Sequence, residues 1–111
     1  YKERYLSLRK LICQIKKLDE IDLDPFFIKL DIQGYEFQAI KGGEKTIKIY
    51  EPILLIESAN VKIINYLKDF GYQFYAFKQG KFTPGVKGEI NTFFMTENKS
   101  SMVERHIKGA Q

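Results

Sequence analysis

Three carboxylates have the setting that chemistry needs: Asp31, Glu36 and Glu57. The first two follow the apolar run Phe26-Phe27-Ile28-Lys29-Leu30, which leads into Asp31-Ile32-Gln33-Gly34-Tyr35-Glu36. The third closes Ile53-Leu54-Leu55-Ile56-Glu57 in the same manner. Acids so placed could orient a hydroxyl or an amine, or serve as a general base if their pKa were raised. A plainer reading has Asp31 and Glu36 cap a turn and pair with Lys29 or Lys41. Three acids could also hold a divalent cation, but no nearby His or calcium-loop spacing supports this.

Positioning these acids is the work of strands and helices. Apart from Lys29, residues 26–30 are apolar with no period of two, as in a strand buried on both faces; 53–57 repeats the pattern. In open α/β sheets ligands bind beyond the carboxyl ends of the strands, and Asp31 and Glu57 occupy two such ends. Gly34 permits a tight turn into a helix over 35–41, stopped by Gly42-Gly43. A further turn or two over 44–49 follows, and Glu51-Pro52 resets the chain. Strand–helix–strand at this spacing implies a parallel pair with a right-handed crossover. Asn60 is an N-cap for a helix over 61–70, with Ile63, Ile64, Leu67 and Phe70 inward and Gly71 behind it.

Residues 72–77 then read as a strand, 78–81 as a polar turn, 82–89 as a loop and 91–96 as an antiparallel last strand. Upstream, 1–15 suits helix or strand, with a strand over 10–16 favoured. A helical turn over 18–23 is broken by Asp24-Pro25. Ser101-Met102-Val103-Glu104 has capping-box form, so the 97–111 tail is a short helix ending by Gly109 or a frayed end. The expectation is one α/β domain over 1–111, a partial doubly wound, mostly parallel sheet with helices on its faces and an antiparallel last strand.

The run FIKLDIQGYEFQAIKGGEKTI, with EPILLIES and YLKDFGYQFY after it, resembles the FkbM-type family of S-adenosylmethionine-dependent methyltransferases. That family's strand ends Lys-Ile-Asp-Val-Glu-Gly, followed by an aromatic, Glu and a short helix closing in Leu-Lys-Gly. Lys29, Asp31, Gly34, Tyr35, Glu36, Lys41 and Gly42 stand in those places, and Gln33 replaces the customary Glu. Leu18-Asp19-Glu20 matches the preceding Thr-Leu-Asp-Asp, with Lys17 in place of Thr. The resemblance covers about 18–94 and implies a Rossmann-like class I methyltransferase fold. It also implies methyl transfer to an oxygen of a sugar or small-metabolite acceptor. On that footing Asp31, Glu36 and Glu57 are catalytic candidates. Asp31, Gln33 and Gly34 are cofactor candidates, and Tyr35 and Asn60 substrate candidates. Taken singly, Tyr35 reads as a core aromatic and Asn60 as a cap. No Gly-x-Gly-x-x-Gly loop is present, so the chain reads as the carboxyl-terminal half of such a domain, inactive alone.

Composition narrows the partners. The 111 residues are 44% hydrophobic and 14% aromatic, enough for a globular core. Net charge is +4, but 18 Lys and Arg are interspersed with 14 acids, which argues against nucleic acid. The aromatic set Phe74, Tyr75, Phe77, Phe82, Phe93 and Phe94 reads as strand packing, not a base-stacking platform. Cys13 stands alone, so no internal disulfide forms, and a cytoplasmic setting without membrane contact is expected. His106 has no catalytic partner in view. Two other classes remain: a non-catalytic half-fold that dimerises or assembles with a partner through an open sheet edge, and a carboxylate-metal enzyme.

Overall fold

The computed structural model describes residues 26–109. The strand expected over 10–16 and the helical turn over 18–23, with Cys13 and Asp19, lie outside the described residues.

Strand β1 (Phe27–Leu30) leaves the Asp31–Tyr35 loop for helix α1 (Glu36–Gly42). Helix α2 (Glu44–Tyr50) follows almost without a break. Gly43 joins them, donating its N–H to the Ile40 carbonyl (3.0 Å) while its own carbonyl accepts from Ile47 N–H (2.8 Å). Glu51, in the left-handed region at φ 47°, stops α2, and Pro52 starts the extended path into β2 (Ile53–Glu57). Helix α3 (Val61–Lys68) starts at Asn60, whose side-chain oxygen accepts from Ile63 N–H at 2.9 Å. It closes in a Schellman pattern, with Tyr72 N–H donating to Leu67 O (3.2 Å) and Gly71 N–H to Lys68 O (3.0 Å). Gly71 takes the φ of 86° that this closure demands.

Strand β3 (Gln73–Lys78) turns through Gln79-Gly80 into β4 (Lys81–Pro84), and β5 (Asn91–Met95) precedes helix α4 (Glu97–Met102). The five strands form one open sheet in the order β1-β2-β5-β3-β4. On one face Ile28, Leu30, Leu54, Ile56 and Phe94 pack beneath Ile40, Ile47, Ile63 and Leu67 of the three helices. On the other, Ile53, Tyr75 and Met95 are buried, with Phe27, Phe82 and Phe93 packed against them.

The fold corrects the expected mostly parallel sheet. Among the named strands only β1–β2 is parallel, while β2–β5, β5–β3 and β3–β4 are antiparallel. The last strand is antiparallel as expected, but it lies inside the sheet. By wedging between β2 and β3 it replaces one parallel pairing with two antiparallel ones, although β1, β2 and β3 still run in the same sense. Strand β4 is the second correction, since those residues read as turn and loop. Gln79 (φ 52°) and Gly80 (φ 77°) make the two-residue hairpin with positive φ at both positions, whose twist suits the flanking strands. The tail differs too: the helix begins at Glu97, not at the Ser101 capping box, and a 3₁₀ turn follows at Glu104–His106.

Candidate active site

Leu30 is the parallel register partner of Ile56, so the next residues, Asp31 and Glu57, arrive side by side. Alternation sends both to the face opposite Leu30 and Ile56, away from the three helices. The consequence is electrostatic. The neighbouring Asp31 carboxylate raises the Glu57 pKa above its ordinary 4.5. Partial desolvation, a side-chain hydrogen bond with Asp31 and the charge of Glu36 add to the rise, while Lys29 opposes it. A carboxylate pair of this kind holds a proton between its members more readily than either would alone.

Glu36 is differently employed. It is only 5% exposed. Its two oxygens accept from the backbone N–H groups of Ile32 (3.2 Å) and Gly34 (3.0 Å). The carboxylate therefore clasps the loop that Asp31 opens, as the plainer reading anticipated. Gln33 (φ 27°) lies in positive-φ territory, which a non-glycine residue sustains only where the loop is tied down, while Gly34 (φ 91°) takes it freely. Ser58, directly after Glu57, also has positive φ (56°), and its N–H donates to Ile90 O at 2.8 Å. Strained backbone thus follows both acids.

Tyr35 is 67% exposed, which corrects the reading of its ring as core. It stands at the start of α1, where its N–H donates to Ile32 O at 3.1 Å. The Asn60 oxygen is engaged in capping α3. Gln33 and Gly34 are exposed on the loop. The structure thus brings Asp31 and Glu57 together, turns Glu36 toward the loop backbone and leaves Tyr35 open to solvent.

Asn91 is the antiparallel register partner of Glu57, so the inserted strand adds an amide to the same rim. Its type and place at the start of the last strand were visible in the sequence, but its register opposite Glu57 was not. Gly88 shapes this border: a Cβ there would lie 1.8 Å from Asn91 O, and its N–H donates to Thr92 Oγ1 at 3.1 Å. Among the described residues, no three His, Cys, Asp or Glu side chains gather as a metal-ligand set. Nor is any described helix long and apolar enough to cross a membrane.

Neither curated proteins nor solved structures returned a match to the chain. The family model of the methyltransferase FkbM domain matches residues 7–74, reaching further upstream than the resemblance read from the motifs and ending at the start of β3. That span is more than half of the chain and contains Asp31, Gly34, Glu36 and Glu57. The chain, with its motif loop, parallel strand pair and paired acids, belongs to the FkbM methyltransferase domain family.

Proposed function

We propose that this chain carries the acceptor-facing rim of an S-adenosylmethionine-dependent methyltransferase acting on an oxygen of a sugar or other small metabolite. The observation that carries the reading is the Asp31–Glu57 pair, with the Glu57 pKa raised at the carboxyl ends of two adjacent parallel strands. Family membership supplies the reaction class.

The acids suit the cofactor that this family implies. S-adenosylmethionine supplies an electrophilic methyl group on a positively charged sulfonium, and an acidic rim is complementary to that charge. Asp31 and the exposed Gln33–Gly34 peptide are the parts of this chain that would hold it. With no Gly-x-Gly-x-x-Gly in the 111 residues, most cofactor contacts fall to other parts of the protein.

The chain's own residues then divide the remaining work. Glu57 and Asp31 accept a hydrogen bond from the acceptor hydroxyl and take its proton as the oxygen becomes nucleophilic. Lys29 opposes the rise in Glu57 pKa and so helps keep the pair ionised enough to act as a base. Glu36 positions Asp31 by holding the loop N–H groups, and Tyr35 offers an aromatic face on which a sugar ring stacks. Asn60 fixes the turn from β2 into α3.

Release of S-adenosylhomocysteine over a panel of sugar and small hydroxyl acceptors, measured on the protein with its other cofactor-binding parts present, tests the reading. Asp31→Asn and Glu57→Gln should each lower kcat by about 10²–10⁴-fold while leaving the protein folded. Losses under tenfold in both variants would remove the pair from the chemistry. Calorimetry of the 111-residue chain with S-adenosylhomocysteine should show no micromolar binding, and such binding would contradict the division of cofactor contacts proposed above.

A further inference from the structure

We propose that the concave end of the β3–β4 hairpin binds a phosphate group, free or carried on a small metabolite, at a site separate from the carboxylate rim. A cavity of about 350 Å³ opens there, lined by Lys78, Gln79, Lys81, Thr83, Val86 and Lys108. That volume lies in the range of small-molecule pockets. Its wall holds three ammonium groups and no carboxylate.

The arrangement follows from the backbone. The tight Gln79-Gly80 turn makes Lys78 and Lys81 direct cross-strand partners. Like charges directly opposite one another destabilise a sheet, so the hairpin carries an unfavourable pair that a bound anion would relieve. The third lysine comes from the carboxyl-terminal segment. Lys108 N–H donates to Phe82 O at 2.8 Å, and Ile107 bridges Phe82 in parallel fashion, which lays this segment along β4. Lys81 Nζ donates to Arg105 O at 2.8 Å and ties the same segment down from the other side. Three ammonium groups carried on this fixed backbone can bind a multiply charged oxyanion through charge-assisted hydrogen bonds. Gln79 and Thr83 add neutral donors, and Val86 gives an apolar wall against which a compact organic body can lie.

A small phosphate ligand fits better than a polyanion. Three cations share one concavity with no acid in its lining, whereas the chain's other basic residues are interspersed with its 14 acids. The proposal rests on no reading of Asp31 and Glu57, so either can fail without the other.

The test is an amide-resolved NMR titration of the chain with glucose 6-phosphate, inorganic phosphate and, as controls, glucose and a short oligonucleotide. Saturable shifts at Lys78, Lys81, Thr83 and Lys108 with a Kd near or below about 1 mM are expected for the phosphates and not for glucose. Tighter binding of the ester assigns the site to a phosphorylated metabolite, and equal binding to free phosphate. The Lys78→Gln, Lys108→Gln double variant should weaken binding at least tenfold, while Lys68→Gln on α3 should leave it unchanged. Lys81 is retained because it also anchors Arg105. Absence of saturable shifts, affinity undiminished in the double variant, or binding of the oligonucleotide alone would each overturn the proposal.

Discussion

At the scale of single residues, identity and charge state come apart. Asp31, Glu36 and Glu57 are all carboxylates at strand ends or helix starts, yet only two face each other. Repulsion by Asp31 raises the Glu57 pKa above 4.5, so the native chain holds a proton there more tightly than the unfolded chain does. The stability from that difference is full below the unfolded pKa and disappears as pH rises through the native one. At neutral pH the paired charges therefore weaken the fold. Glu57→Gln should raise the melting temperature at pH 7, and the gain should fade by about pH 4. A melting temperature unchanged across that range would mean that the two acids do not interact. In this respect the residue proposed as a base is one that the fold would be more stable without.

At the scale of elements, the join between α3 and β3 locks the helices to the sheet. The Schellman closure at Gly71 delivers Tyr72 inward, and its hydroxyl donates to Pro52 O at 2.6 Å, at the start of β2. Burial, with a contribution from Glu51, pushes the Tyr72 pKa well above 10.0. Because the native pKa is the higher one, its contribution is intact below pH 10 and is lost as the solution becomes more alkaline. Tyr72→Phe should cost about 1–3 kcal/mol in urea unfolding at pH 7, since a buried carbonyl loses its donor. The variant should also lack the extra loss that the parent protein shows above pH 10. An equal alkaline loss in both proteins would place its cause elsewhere. This connection was partly legible: Gly71 announced the helix end, while the partner of the tyrosine hydroxyl was 20 residues away.

At the scale of the whole molecule, β5 decides the architecture. Phe94 is 1% exposed and pairs with Leu54 on one side and Phe74 on the other, so one ring sits where both halves of the sheet meet the helical layer. Phe94→Ala should remove about 3–5 kcal/mol of stability. Set against the ~5–15 kcal/mol typical of a domain, that is enough to bring the chain near unfolding. Unfolding that remains cooperative, with a midpoint shift worth under about 1 kcal/mol, would show that β5 is not the keystone of the sheet.

Sequence alone determined the elements whose cause is local. Two largely apolar runs specify strands, Gly34 and Gly71 mark turns that need positive φ, and Asn60 specifies a helix start, because each signal acts within a few residues. The family signature is equally local, since its residues lie in one loop and the helix behind it. What only tertiary structure decided was long-range: β5 lying between β2 and β3, Asn91 beside Glu57, and Lys108 carried to the hairpin. Pairing between strands depends on register and burial summed over distant segments, and no short window of residues contains that sum.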